Sequence, residues 1–372
     1  MADEIELEPL APQEAIDAFR RKGHAITFSW QDMERDEHSR DFTVAKVASL
    51  DILADIRAAM DAAIAEGTTL REFERQLTPL LQEKGWWGRD VMTDPLTGEA
   101  REVQLGSPRR LQIIYDTNLR MSYAAGRWER IEGVAAARPW LRYVAILDDR
   151  TRDQHRDWHN TVLRWDDPWW DQHAPPNGWN CRCTVQQLGD RDLERMGLSP
   201  SSPPSSPPRT WVNNRTGEVR QVPGGVDPGF DYNVGRANMA HMLDVATGKL
   251  DLTDDDLARA TIQAMVAGRS FSSFLRSPGT GAGHPVATGA VRVGGTRPTV
   301  VLPAETVRRQ AADGTLPQAA DWMRVQAMID AGQASAQGNV RHITLEGEPY
   351  VMEVERGEDG RIKVTSLRRV GS

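Results

Sequence analysis

Cysteine is nearly missing from this chain: 372 residues hold two, Cys181 and Cys183. A bridge between thiols one residue apart closes a small, strained ring, and two thiols cannot staple a domain, so both are expected in the reduced form. Long apolar runs are missing too. No stretch reaches the roughly 18 apolar residues of a membrane span. The opening "MADEIELEPLAPQ" is acidic and lacks the apolar run of a secretion signal. The expectation is a protein made in the cytoplasm with no membrane partner. An excess of positive charge is also absent. At a net charge of -8 and a pI near 5.6 the whole molecule repels polyphosphate. That counts against sequence-independent coating of nucleic acid and confines any contact with packaged DNA or an RNA substrate to a local patch.

What is present is length enough for two or three domains, with twelve tryptophans against five tyrosines. From Pro12 to about Gly133 the pattern is helical. "PQEAIDAFRRKG" opens on proline and closes on glycine, the usual asymmetry of helix ends. The spacing predicts a second helix within 43–67, with Val47, Leu50, Ile52, Leu53, Ile56, Met60 and Ile64 on its apolar stripe. A third, within 68–85, starts with Thr69 and Glu72 in a capping-box arrangement and stops at Gly85. Ser107 and Pro108 open a fourth, whose stripe Leu111, Ile114, Asn118, Met121, Ala125 and Trp128 includes one amide. Asn118 is read either as buried and tied to a neighbouring backbone or as partly exposed.

Beyond Gly133 the character changes. "RPWLRYVAILDD" and "CRCTVQQL" read as strands, "SPSSPPSSPPR" (199–209) as an extended spacer, and "TWVNNRTGEVRQV" as a hairpin. In a helical "DQHRDWHN", His155 and His159 lie one turn apart; in an extended "CRC", Cys181 and Cys183 face one way. Two imidazoles and two thiolates suit a structural zinc ion, a closed set with no position left for catalysis. The competing reading is a pair of small buried thiols with surface histidines. Trp165, Trp169, Trp170 and Trp179 are read as a compact core around the cluster. The last third opens glycine-rich, turns helical in "ADWMRVQAMIDAG", and ends in the strands "VRHITL", "YVMEVE" and "RIKVTSLRRV".

The sum is an α+β chain in four parts: a helical part at 1–133, a loop-rich β part at 134–236, a linker or helical connector at 237–284, and a small mixed α/β domain at 285–372. The series "AFRRKG", "KGWWG", "LGSPRRLQIIYDTNLRMSYAAGRW", "DDRTRDQHRDWHNTVLRWDDPWW", "APPNGWNCRC" and "GGVDPGFDYNVG" resembles the Mu F-like phage head morphogenesis proteins. That group is allied to the minor head protein of phage SPP1. The resemblance spans about residues 10–236. It implies a minor capsid component built in the host cytoplasm, acting near the portal vertex with portal, scaffold or major capsid protein as partners, and carried in the virion head. The family's motif positions map onto Arg110, Thr117, Asn118, Gly126, Arg152, His155, His159, Trp179, Cys181 and Cys183. The proline-serine spacer departs from the family pattern.

Residues 285–372 bear a weaker resemblance to phage-borne nuclease domains of the barnase, EndoU, colicin E5/D and RelE-like group. This implies cleavage of RNA, with His342, Ser366 and Arg368 as the candidate catalytic residues: an acid or base and groups that steady a charged phosphorane. Leu316 stands where such domains frequently carry a histidine. An inert tail, and a zinc-dependent hydrolase unrelated to capsids, are the alternatives.

Overall fold

The computed structural model describes residues 11–33, 35–276, 278, 283–289, 298–337, 340–347, 349–357 and 360–370; much of the glycine-rich stretch falls outside them. The chain gathers into two compact units that divide between Asn238 and Met239. Helices and sheets are both prominent, and the fold is α+β.

In the first unit, α1 (Gln13–Arg20), α2 (Leu50–Glu66), α3 (Leu70–Glu83) and α4 (Pro108–Val134) surround one core that includes Phe19, Leu53, Ile56, Met60, Phe73, Leu81 and Leu111. Ser107 Oγ accepts from Arg110 N–H to start α4, and Thr69 Oγ1 from Glu72 N–H to start α3. The second helix begins later than its apolar pattern implies. Lys46 takes a left-handed backbone (φ 66°), incompatible with a helix, so Val47 is buried from the loop before the helix while Leu50 is 61% exposed. Asn118 is half-buried and donates to Ile114 O of its own helix at 2.9 Å, which leaves no link to a neighbour through that bond.

Helices α1 and α4 cross almost in backbone contact. A β-carbon on Gly126 would lie 2.6 Å from Ala15 N and 2.9 Å from Glu14 C, both main-chain atoms that cannot yield. Gly126→Ala is therefore expected to cost about 1–3 kcal/mol through overpacking. The check is the midpoint of urea unfolding, which should fall without a change in slope.

Two hairpins lie between and after these helices: β1 (Arg89–Thr93) with β2 (Ala100–Gln104), and β6 (Pro208–Val212) with β7 (Val219–Pro223). Arg215 joins them, binding Asp94 through two nitrogens at 2.6 and 3.1 Å and also pairing with Asp32. The bond to Arg215 holds the Asp94 carboxyl down at about 2. Because the folded carboxyl stays ionised to lower pH than the unfolded one, this stabilisation is complete above about pH 4 and is lost as pH falls toward 2. Unfolding midpoints measured across that window should drop more steeply for the native chain than for Asp94→Asn.

Three strands form the middle sheet in the order β4 (Val162–Arg164), β3 (Trp140–Val144), β5 (Thr184–Leu188), all antiparallel. The proline-serine spacer has no regular structure between Leu198 and Pro207 and is mostly exposed, yet it is pinned. Ser201 N–H donates to Val162 O at 2.8 Å, and Ser206 Oγ meets His173 Nε2 at 2.8 Å.

In the second unit a six-stranded sheet runs β8 (Gly283–Thr288), β9 (Thr299–Pro303), β13 (Ile362–Arg369), β12 (Tyr350–Arg356), β11 (Val340–Thr344), β10 (Gln333–Gln337). Only β9 and β13 pair in parallel. Residues 237–284, expected as a linker or helical connector, carry the helices Asp255–Ala267 and Arg269–Arg276, whose Ala258, Ile262, Val266, Phe271 and Phe274 enter this unit's core beside Trp322, Met328, Met352 and Leu367.

Candidate metal centre

The middle sheet and its loops bring three donors together. His155 comes from the one-turn helix Asp153–Asp157, while Cys181 and Cys183 come from the bend that leads into β5. His155 Nδ1 lies 3.8 Å from Cys181 Sγ and 3.5 Å from Cys183 Sγ, and all three donor atoms fall within 4.8 Å of one another. A tetrahedral zinc with Zn–S of about 2.3 Å and Zn–N of about 2.0–2.1 Å places neighbouring ligands roughly 3.5–3.8 Å apart, so this donor set fits the ion. The other ring nitrogen, Nε2, meets Gly225 O at 2.9 Å, which fixes Nε2 as the protonated one and turns the Nδ1 lone pair toward the sulfurs.

The loop around the cysteines is held from outside. Asp227 Oδ2 accepts from Trp179 N–H at 2.9 Å and from Arg152 at 2.7 Å. A β-carbon on Gly178 would lie 2.3 Å from that same oxygen. Tyr143 donates to Asn177 Oδ1 at 2.8 Å, and the Trp158 ring stacks on His155 at 5.1 Å. Of the four tryptophans expected to form a compact core, Trp165, Trp169 and Trp170 are buried and Trp179 is half-buried; Trp158, outside that expectation, is buried with them. The two thiols interact strongly: the bond from Cys183 holds Cys181 low, while Cys181 and burial push Cys183 up. A dication would take both as thiolates.

His159 does not join the group. The helix ends at Asp157 and Asn160 takes a left-handed backbone (φ 69°), so the one-turn spacing from His155 is never realised. Instead His159 Nδ1 accepts from Ala145 N–H at 3.1 Å. The four-ligand set expected from the sequence is thus a three-ligand set, and among the described residues no further His, Cys, Asp or Glu completes it. His173 is buried, with its nitrogens engaged by Trp169 O and Ser206 Oγ. Sequence reasoning missed Tyr143, Gly225 and Asp227; the only signal for the last two is the glycine doublet of "GGVDPG".

Residues 54–186 match the family model described as Phage Mu protein F like protein, and that span contains all three donors. This part of the chain is similar to the Mu F-like family. A relative from Escherichia phage Mu, named "Putative capsid assembly protein F", is 40% identical over 246 residues, 66% of this chain and 53% of its own length. The "Mu-like prophage FluMu F protein" of Haemophilus influenzae is 36% identical over 254 residues, 64% and 60% of the two lengths. The chain thus spans about half to three-fifths of these curated relatives. No solved structure matches it.

Within the Mu F-like segment, Arg110 is a clamp. Its guanidinium donates to the carbonyls of Gln104, Leu105 and Ala45 and packs on Trp86 at 4.9 Å; burial lowers its pKa to about 10. The candidate catalytic residues lie outside that segment, in the second unit, and do converge. His342 Nδ1 is 3.6 Å from Glu353 Oε1, Arg368 pairs with the same carboxylate, and Ser366 sits opposite Glu353 across the β12–β13 ladder. A groove of about 890 Å³ lies beside them, lined by Arg308, Arg309, Lys363, Ser366, Arg368 and Glu353 among others.

Proposed function

We propose that the chain acts in phage capsid assembly as a minor head protein. It is made in the host cytoplasm, works near the portal vertex against portal, scaffold or major capsid subunits, and stays in the virion head in a structural role. The reading rests on 40% identity over 246 residues to a phage Mu protein named for capsid assembly. No helix among the described residues is long and apolar enough to cross a membrane, consistent with a particle component. The test is to purify procapsids and mature particles and quantify the protein in each. A few copies per particle, at one vertex, is the expected result; absence from both kinds of particle overturns it.

In the same reading His155, Cys181 and Cys183 hold a zinc ion that fastens the loop-rich middle, on the strength of their nitrogen–sulfur separations. His155→Ala is expected to abolish metal retention through dialysis, whereas His159→Ala leaves about one ion per chain. Elemental analysis of both variants checks this.

A second reading, that the C-terminal unit cleaves RNA, is favoured by the meeting of His342, Ser366 and Arg368 around Glu353 beside a groove whose cations Arg308, Arg309, Lys363 and Arg368 are matched by the carboxylates Glu305, Asp313, Glu353 and Glu355. The full chain and its His342→Ala variant, each incubated with RNA, decide the matter. Cleavage by the first alone supports the reading, and equal survival of RNA in both removes it.

A further inference from the structure

A cavity of about 490 Å³ opens on the three donors, with His155, Cys181 and Cys183 themselves in its wall. Volumes of this order belong to small-molecule sites. The rest of the wall is dominated by guanidiniums: Arg120, Arg150, Arg152 and Arg182 line it, against the single carboxylate Asp116. Three of the four are held in place. Arg120 pairs with Asp116 at 3.2 Å and donates to Cys181 O at 3.4 Å. Arg152 is anchored by Asp227 and Trp179 O, and Arg182 by both oxygens of Asp148 at 2.8 and 2.5 Å. A guanidinium carries five donors, so such pairings orient each group and leave donors for a ligand. Counting Asp116, Asp148 and Asp227 against the four arginines leaves one positive charge, while a dication cancels the two thiolates.

We propose that the metal keeps its fourth position open toward this cavity and that the cavity takes a phosphate group there, one oxygen on the metal and the others on the arginines. The inference rests on the zinc reading above. Three protein ligands with one open position is the arrangement of zinc sites that bind exchangeable ligands, and closed structural sites have four. The chemistry of the wall supplies the rest, because planar guanidinium forks recognise phosphate through paired hydrogen bonds. Phosphate is favoured over carboxylate because three or four donors arrayed around one metal match a tetrahedral oxyanion better than a planar one.

The experiment loads the full chain with Co²⁺ in place of zinc and follows its visible ligand-field bands. Bands of a tetrahedral sulfur-ligated ion should appear and should shift saturably when inorganic phosphate is added, with acetate shifting them less. In Arg120→Gln, and in the rim variant Arg150→Gln whose side chain is 81% exposed, half-saturation should need about tenfold more phosphate. Tetrahedral bands that ignore phosphate leave the metal site standing and overturn the open-position proposal. A shift that is unchanged in both arginine variants, or is as strong with acetate, overturns the phosphate cavity. Failure to retain Co²⁺ at all overturns the zinc reading and this inference together.

Discussion

On the zinc reading, a strong chelator is expected to lower the melting temperature of the first unit by about 8–16 °C. A ligand present at roughly a thousand times its dissociation constant stabilises the folded state by about 4 kcal/mol. For a domain of this size each kcal/mol is worth about 2–4 °C. The effect concentrates on the middle of the chain, because Cys181 and Cys183 sit on a bend without regular structure, held otherwise by single contacts such as those from Asp227, Tyr143 and Arg120. Cys181→Ser should reproduce the loss and make it insensitive to chelator. Scanning calorimetry with and without chelator, on both proteins, checks the claim; equal melting of the native chain under the two conditions would refute it.

Trp158→Ala is the second large effect. The indole is 1% exposed, stacks on His155, and meets Tyr143, Trp169 and His173 edge-on at 5.7, 5.6 and 5.1 Å. Removing a buried tryptophan of this kind costs about 3–5 kcal/mol, and the cavity left behind is ringed by aromatic groups that cannot close it. The same change frees the ligand imidazole to rotate, so metal affinity should fall about 10–100-fold, as it does when outer support of a ligand is lost. Denaturant titration measures the first effect and competition with a coloured chelator the second. Loss of stability without loss of affinity would mean that the Gly225 carbonyl alone orients the ring.

The first-unit helices were legible because their signals are local: a cap such as Ser107, a stop such as Gly67, and an apolar residue every third or fourth position. Where one local feature cut across the pattern, as the left-handed Lys46 does before Leu50, the sequence spacing ran on past the real helix start. The cysteines and His155 were readable as an unusual donor set, but His159 was not excludable, since the end of a one-turn helix depends on how Asn160 packs. Arg120, Tyr143, Gly225 and Asp227 reach the site from segments up to about a hundred residues apart, and nothing in their immediate neighbours announces that. In the second unit the alternation of "YVMEVE" gave its strand, whereas 237–284 read as a linker or helical connector, and that Ala258, Ile262 and Val266 of the helix Asp255–Ala267 enter the core was not legible.

Helix α4 is 27 residues long, about 40 Å. Its Leu111 and Ile114 are rooted in the helical core, while Gln112, Asp116 and Arg120 form one wall of the arginine cavity. That wall is consequently as stiff as the core it grows from. A guest entering finds its binding groups already set and gives up little freedom in ordering them, so the occupied and empty forms of this region should superimpose.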